Sequence, residues 1–153
     1  PNATALLFCD IDKFFQLRTL FQLQGWWVQR TPIIWDKTKS TRLPVPGRSF
    51  RRQYELILLA VKGEGTTSTS APDVLSFAPD ANVGHGAQKP VELYQFLAAA
   101  VQANNVRILD PFGGSCPALE IPNNYITVLE VNPEFYGIGL KRLERLNSQG
   151  DLL

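Results

Sequence analysis

Apolar residues in the first part of the chain form short runs that predict β-strands, with one stretch at helical spacing. Residues 3–9 and 54–61 are largely apolar runs, and the second predicts a strand in the interior of a sheet. Between them, residues 10–25 repeat apolar positions every three or four residues and predict a helix. Residues 28–35 are β-branched and aromatic, and Pro32 predicts an edge or a bulge in that strand.

Two segments without apolar periodicity interrupt these elements. Residues 36–53 contain prolines and a glycine among polar residues and predict a long exposed loop. Residues 64–88 begin with glycine, threonine and serine and predict an irregular linker. The first loop is basic. Its positive residues are Lys37, Lys39, Arg42, Arg48, Arg51 and Arg52. Such a cluster suits contact with nucleic-acid phosphates, or simple solvation as a surface loop.

In the second half of the chain, helical and strand patterns alternate. Proline opens a predicted helix over residues 90–103, and a strand follows over residues 106–109. After a glycine-rich turn, residues 125–129 predict another strand, and Pro133 opens the last helix. This alternation is typical of a parallel sheet covered by helices. We therefore predict an α/β fold of Rossmann type, with a mostly parallel sheet and helices on both faces.

Composition narrows the classes of function. The chain has 153 residues, the length of one domain, with 44% hydrophobic and 19% charged residues. No apolar run approaches the roughly 20 residues of a membrane span, and no secretory signal is apparent, so a cytoplasmic protein without a membrane partner is expected. Cys9 and Cys116 lie far apart and there is one histidine, so we expect reduced thiols and no metal site.

A glycine turn and an acidic residue mark a candidate ligand site. The sequence Asp-Pro-Phe-Gly-Gly-Ser over residues 110–115 follows one predicted strand, and Glu130 ends the next. Glycines let the backbone approach a ligand closely, and a carboxylate at the following strand end accepts hydrogen bonds from ribose hydroxyls in doubly wound folds. On these grounds alone, nicotinamide, flavin and S-adenosylmethionine cofactors fit equally.

The sequence on either side of the glycines distinguishes between these cofactors. Residues 109–115 read LDPFGGS, and residues 128–146 read VLEVNPEFYGIGLKRLERL. Both resemble the S-adenosylmethionine-dependent N6-adenine and N4-cytosine DNA methyltransferases, whose cofactor motif is D-P-F-x-G-S-G, followed by an acidic strand end and N-P-x-Y. Residues 84–90 resemble that family's H-P-x-Q-K-P segment, and residues 33–37 and 48–55 resemble its W-x-K and R-x-x-x-E regions. The order of these segments is the circularly permuted one, with the cofactor motif last.

The resemblance implies one domain over residues 1–153. Residues 1–62 would belong to the catalytic half of the sheet, and residues 89–153 would form the cofactor-binding half. Residues 36–53 would be the basic loop and 64–88 the linker. The family's catalytic tetrapeptide, D/S/N-P-P-Y/W/F, does not occur in the sequence. In the permuted order it belongs upstream of the first strand, so we expect a sheet that is incomplete at its catalytic end.

The resemblance also implies roles for individual residues. Those expected to bind the cofactor are Asp110, Pro111, Phe112, Gly113, Gly114, Ser115, Glu130, Asn132, His85 and Lys89. Glu130 would bond the ribose, and Lys89 would help to close the opposite wall of the pocket. The residues alone also admit structural roles, with Asp110 capping the turn, Phe112 in the core and Lys89 solvated. Those expected to contact DNA are Lys37, Arg42, Arg48, Arg51 and Arg52.

The turn departs from the family motif in two ways. Cys116 stands where the family has its last glycine, and its side chain is expected to crowd the methionine moiety. Pro117 follows and lacks a backbone donor. Residues 117–124 are also short for a crossover helix, which needs about 10–12 residues.

Three functions remain open from the sequence. The first is the S-adenosylmethionine-binding part of an enzyme that methylates an exocyclic amine of adenine or cytosine, with the catalytic motif supplied by an upstream or separate segment. The second is a non-catalytic DNA-binding remnant of such an enzyme. A dinucleotide-binding oxidoreductase is disfavoured, because the turn lacks G-x-G-x-x-G spacing.

Overall fold

The structure is a computed structural model, and the residues that it describes are 2–38, 50–65, 70–78 and 88–150. The chain divides into two compact units, Pro1–Ala78 and Pro79–Leu153, which we call the first and second units. The boundary falls within residues 64–88, the predicted linker. The assignment of the whole chain to one domain stays a prediction, and each unit is described by itself.

The first unit combines one helix with a sheet. The described elements are β1 (Ala3–Cys9), α1 (Ile11–Leu23), β2 (Trp27–Val28), β3 (Ile33–Asp36), β4 (Tyr54–Lys62) and β5 (Val74–Ser76). The strand order is β1-β4-β3-β5, and β2 also pairs with β4. Because Val61 pairs with Thr4 of β1 and with Trp27 of β2, these two strands lie on opposite edges of β4.

The prediction of a mostly parallel sheet is not confirmed for this unit, where the sheet is mixed. β1, β2 and β3 all run antiparallel to β4, and the one parallel pairing among the described strands joins β3 to β5. The chain does make a strand–helix–strand crossover through α1, as the sequence pattern indicated. However, β4 returns in the opposite direction and inserts between the two strands that the crossover leaves parallel.

The strand predicted over residues 28–35 is divided in two around Pro32. β2 and β3 occupy the same edge of β4, and Gln29 N still donates to Leu59 O at 3.0 Å. A proline has no N–H to continue the ladder, which explains the interruption. On the other side of β3, Ile34 N donates to Asp73 O at 2.7 Å.

The core of the first unit is built on β4. Its residues Leu56, Leu58 and Ala60 share one face, where Phe14 of α1 and Val28 of β2 pack against them. The residues between them in β4 are buried as well. Burial on both faces explains the continuous apolar run that predicted an interior strand.

The second unit contains the parallel strand pair that the sequence predicted. Its described elements are α2 (Val91–Ala100), β6 (Arg107–Asp110), a 3₁₀ helix (Pro117–Glu120), β7 (Tyr125–Val128) and α3 (Pro133–Gly150). β6 and β7 pair in parallel, with Asp110 opposite Val128. α2 and the 3₁₀ helix cover one face of the pair through a cluster of Ala98, Ala118 and Ile121, against which Ile108, Ile126 and Val128 pack.

Helices on both faces, also predicted, are not seen for this pair in the described part of the chain. Leu109 and Tyr125 alternate with the covered residues and are 62% and 69% exposed. Among the residues that the structure describes, no helix is long and apolar enough to cross a membrane. Those residues also contain no group of three or more histidine, cysteine, aspartate or glutamate side chains suited to hold a metal ion.

Candidate functional site

The carboxyl ends of β6 and β7 bring the glycine turn and the acidic segment together. Because the strands are parallel, both chains leave the sheet at the same edge. Leu129 N donates to Asp110 O at 2.8 Å, and Gly113 N donates to Leu129 O at 2.9 Å. These bonds continue the pairing beyond the last paired residues of the strands. In open α/β sheets this edge is where ligands bind.

The close approach between this turn and β7 requires glycine at position 113. A Cβ atom at Gly113 would overlap Val128 Cγ1 and would lie 3.3 Å from Leu129 O. Gly114 has a φ of +54°, in the left-handed region that glycine adopts at little cost. The first glycine therefore lets the turn contact β7, and the second lets the chain reverse direction.

Glu130 ties the turn to the segment after β7. Its Oε2 accepts a hydrogen bond from Gly114 N at 2.6 Å, and its Oε1 accepts one from Asn132 N at 2.7 Å. Asn132 in turn accepts a bond from Glu134 N through its Oδ1 at 2.9 Å, which caps the start of α3. A carboxylate has about four lone-pair positions, and these two amides each bond a different oxygen of Glu130.

Two buried side-chain oxygens beside this carboxylate have no hydrogen-bond partner within the described residues. Asp110 Oδ1 accepts from Phe112 N at 3.1 Å, whereas Asp110 Oδ2 and Ser115 Oγ are buried and unpartnered. Burial raises the pKa of the Asp110 carboxyl above its usual range. The Phe112 amide and the positive charge of Lys89 counteract this rise, and the negative charge of Glu130 adds to it. Leaving such oxygens unpaired costs free energy, which makes this turn a candidate binding site.

A cavity of about 280 Å³ opens at Ser115 and Glu130. Predicted cofactor residues that line it are Lys89, Phe112, Gly113, Gly114, Ser115, Glu130 and Asn132. Asp110 lies at the end of β6 directly before this wall. Pro111 is exposed and is not part of the described lining. Phe112 is 87% exposed, so the structural alternative in which it belongs to the core is wrong. His85 lies outside the described residues.

Four lining residues were missed from the sequence. They are Gln88, Tyr94, Pro117 and Phe135. Tyr94 lies one helical turn into α2, and Phe135 lies in the first turn of α3, so both follow the prolines that open these helices. The helix starts were visible in the sequence, and extending the predicted site by one turn from each would have found the two aromatic residues.

The side chain of Cys116 was expected to crowd the cavity, but it does not. It is 4% exposed, and it is not among the described residues that line the cavity, although its neighbours Ser115 and Pro117 are. Its φ of 59° and ψ of 47° lie in the left-handed region, so the position keeps the backbone conformation of a glycine. Burial raises the pKa of the thiol, and the charges of Asp110 and Glu130 raise it further.

Helix α3 braces the turn from behind. Arg142 Nε donates to Ser115 O at 3.0 Å, and Arg142 Nη1 also pairs with Glu120 in the 3₁₀ helix. Arg145 pairs with the same Glu120 at 2.6 Å but is much more exposed. The short segment after the turn therefore forms a 3₁₀ helix that an ion pair anchors to α3, in place of a crossover helix.

The predicted DNA-contacting residues that the structure describes lie in the first unit. Lys37 Nζ pairs with Glu55 Oε1 at 2.7 Å and lies 5.5 Å from the centre of the Trp35 ring. Arg52 Nη1 pairs with Asp10 Oδ1 at 2.5 Å, and both side chains are more than half exposed. Arg51 is exposed. Arg42 and Arg48 lie outside the described residues, so contact with DNA stays a prediction.

Solved structures with a similar fold include DNA methyltransferases. The crystal structure of the M1.HpyAVI–SAM complex superposes with a TM-score of 0.76 over 93% of this chain and 74% of that one, at 22% identity. M1.HpyAVI in a second crystal structure gives 0.75, over 94% and 73%, at 20% identity. The PvuII cytosine-N4-specific DNA methyltransferase gives 0.66, over 90% and 61%, at 16% identity. This chain has the DNA methyltransferase fold.

The resemblance found in the motifs is thereby confirmed at the level of the fold. The same superpositions cover at least 90% of the chain and so include most of the first unit, whose sheet is mixed. No protein-family model matches the sequence, and neither does any curated protein compared with it. The chain spans 61% of the PvuII enzyme, so a whole enzyme's activity is not assigned from the fold.

Proposed function

We propose that this chain binds S-adenosylmethionine in the cavity at β6 and β7, as the cofactor-binding part of a DNA methyltransferase that acts on an exocyclic amine of adenine or cytosine. The observation that carries the proposal is the pair of buried, unpartnered oxygens, Asp110 Oδ2 and Ser115 Oγ, at the carboxyl ends of two parallel strands. The shared fold supports it, since one of the superposed structures is a complex with SAM.

The groups in the cavity match the chemistry of this cofactor. S-adenosylmethionine supplies an electrophilic methyl group on a sulfonium and carries an ammonium, a carboxylate, ribose hydroxyls and an adenine ring. Asp110 would accept from the ammonium, and Ser115 would provide a hydroxyl beside it. Lys89 offers a positive charge to the carboxylate, and Glu130 offers acceptors to the ribose hydroxyls. The aromatic rings of Tyr94, Phe112 and Phe135 would pack on the adenine.

The proposed part of this chain in the reaction is to bind and orient the methyl donor. Held in line with an incoming amine, a methyl donor reacts as in an intramolecular step, which accounts for much of the acceleration in group transfer. The sequence contains no D/S/N-P-P-Y/W/F tetrapeptide to hold the target base. We therefore assign that role to a segment outside this sequence, upstream or on a separate chain.

DNA contact is proposed for the basic residues of the first unit, with different weights. Arg52 pairs with Asp10 where both side chains are exposed, and such pairs are worth only about 0–1 kcal/mol, so a phosphate competes with the carboxylate. Arg51 is exposed as well. Lys37 is more enclosed by Glu55 and Trp35 and is the weaker candidate. Arg42 and Arg48 complete the proposed set.

Titration calorimetry of the 153-residue chain with S-adenosylmethionine tests the proposal. We expect binding in the micromolar range for S-adenosylmethionine and S-adenosylhomocysteine, and none for NAD⁺ or FAD, which serve as controls for the other cofactor classes. No heat and no thermal protection at saturating S-adenosylmethionine would sink the proposal, as would preferential binding of NAD⁺ or FAD.

The non-catalytic DNA-binding remnant remains the second candidate, because Cys116 and Pro117 replace the end of the family's glycine motif. It differs in its outcome from the first. A remnant would bind duplex DNA with an affinity that falls steeply with salt, would lose this binding when Arg48, Arg51 and Arg52 are replaced, and would bind no S-adenosylmethionine.

A further inference from the structure

Cys116 occupies a backbone position that favours glycine. Its φ of 59° and ψ of 47° place it in the left-handed region, where a Cβ atom meets the neighbouring carbonyl oxygen. It is nonetheless almost completely buried, and its amide closes the turn by donating to Gly113 O at 2.7 Å. A strained residue is kept in such a conformation only when its surroundings hold it there.

Those surroundings include a glycine on α3. A Cβ atom at Gly139 would overlap Cys116 Sγ and would lie 3.2 Å from Cys116 Cβ. The thiol also packs near Gly113, where an added Cβ would lie 3.4 Å from Sγ. The Cys116 side chain therefore occupies space that the missing side chain of Gly139 leaves open, and it points to α3 and not into the cavity.

The same helix also holds the next residue of the turn. Arg142, three residues after Gly139, donates to Ser115 O, and Ser115 carries one of the two unpartnered oxygens. Added volume at position 139 would push Cys116 outward, and the displacement would pass directly to Ser115 and to the Cys116–Gly113 hydrogen bond. Helix α3 thus fixes the turn by one polar contact and one steric contact.

We propose that Cys116 and Gly139 are a size-matched pair of positioning residues for the cofactor turn. The family's glycine adopts the left-handed conformation at little cost, whereas Cys116 is held in it by packing against Gly139. The same packing keeps the side chain of Cys116 out of the cavity. The inference rests on the proposed function, because its main readout is affinity for S-adenosylmethionine. The inference makes Gly139 of α3 a determinant of that affinity, although Gly139 is not among the described residues that line the cavity.

Four forms of the full chain test the pair: wild type, Gly139→Ala, Gly139→Ala with Cys116→Gly, and Gly137→Ala. Gly137 is the matched control, because it lies on the same helix and an added Cβ there meets nothing within 4 Å. The dissociation constant for S-adenosylmethionine and the melting temperature without ligand are measured for each. In a double-mutant comparison, contacting residues show non-additive effects.

We expect Gly139→Ala to weaken binding by about tenfold, the size typical of coupled neighbours, and the double variant to return to within about threefold of wild type. Gly137→Ala should bind as wild type does. Equal affinities for the two alanine variants would overturn the pair, and so would a double variant that stays weak. Rescue of the melting temperature without rescue of affinity would show packing alone and would also overturn the positioning role.

Two further outcomes are decided by the same set of proteins. If Gly139→Ala does not fold, the double variant is expected to fold and to bind, and its failure to do either contradicts the pair. If wild type itself binds no S-adenosylmethionine, the proposed function is wrong and the positioning role falls with it. The size-matched contact then stands or falls by whether Cys116→Gly restores the melting temperature that Gly139→Ala lowers.

Discussion

The two units treat their charged and polar side chains differently. In the first unit, Lys37 is paired with Glu55 and Arg52 with Asp10, so two of the described candidates for phosphate contact already have acidic partners. In the second unit, Asp110 and Ser115 each keep a buried oxygen without a partner in the described structure. The first arrangement satisfies these charges within the chain, whereas the second leaves acceptor capacity that the proposed ligand would use.

The contrast has one exception that sharpens it. Arg18 Nε in the first unit is also buried and unpartnered, but its guanidinium donates to Arg30 O through Nη1, and it is not one of the predicted site residues. In the second unit, two of the orphaned atoms lie on one turn, next to a cavity and a second carboxylate. Clustering, more than the presence of a single unsatisfied atom, is what indicates a binding site.

The largest expected effect comes from Asp110→Asn. Removing the negative charge should weaken S-adenosylmethionine binding by about 100-fold, the value of a hydrogen bond to a charged group. Because burial disfavours the ionised carboxylate, the same change should not lower the melting temperature. Calorimetry and thermal melting measure the two effects, with Asp12→Asn, at an exposed position of α1, as the control. Loss of stability together with unchanged affinity would show that Asp110 stabilises the turn and does not bind the cofactor.

The brace behind the turn gives the next effect. Arg142 is 10% exposed and holds both Ser115 O and Glu120, so Arg142→Ala should cost about 2 kcal/mol of unfolding free energy by leaving Glu120 poorly compensated. Arg145 bonds the same carboxylate but is 53% exposed, and Arg145→Ala should cost about 0.5 kcal/mol. Urea denaturation compares them. Equal losses would show that the contact to the turn contributes nothing.

The raised pKa of Asp110 makes a prediction about pH. Since the folded-state pKa lies above the unfolded one, the folded chain takes up this proton first, and the contribution of Asp110 to stability increases as pH falls through the folded-state value. Binding should show the opposite trend, because the cofactor's ammonium pairs with the ionised form. Affinity should fall by up to about tenfold per pH unit below that pKa.

Calorimetry across a pH series, with Asp110→Asn as the reference, isolates this group. Lys89, which lowers the pKa, and Glu130, which raises it, face Asp110 and remain in both proteins. If the affinity for S-adenosylmethionine depends on pH in the same way in Asp110→Asn, a group other than Asp110 is responsible for the pH dependence.

The smallest effect is expected in the first unit, at Lys37. If its pair with Glu55 is mainly structural, Lys37→Gln should lower stability by about 0.5–1 kcal/mol and leave DNA affinity within about twofold. Arg51→Gln and Arg52→Gln are the comparison, and each should weaken binding to duplex DNA and reduce its salt dependence. A loss of affinity in Lys37→Gln as large as in the arginine variants would show that phosphate displaces Glu55.

The sequence indicated the location of the candidate site better than its internal contacts. It placed Asp110 and Glu130 at the ends of two successive strands, and the structure places them beside the same turn. That the Glu130 oxygens would accept from the Gly114 and Asn132 amides was not predictable, since this depends on the path of the turn. The direction of Cys116 depends on the sign of its φ and on Gly139, which is distant in sequence.

In the first unit, local pattern predicted the strands but not their directions. Apolar periodicity reports which face of a strand is buried, and it carries no information on which neighbour pairs with it or in which sense. β4 was the clearest strand in the sequence, yet its antiparallel pairing with three others follows from long-range contacts alone. The division of β2 from β3 was signalled by Pro32.

The position of β4 in the chain has a consequence for synthesis. Chains emerge from the ribosome N-terminus first, so β1, α1, β2 and β3 all appear before residues 54–62 do. Until then, none of the three strands has the neighbour that β4 provides, and the apolar side chains facing it have no cover. The pairings of β4 with β1, β2 and β3 can therefore form only after the nine residues of this strand have been synthesised.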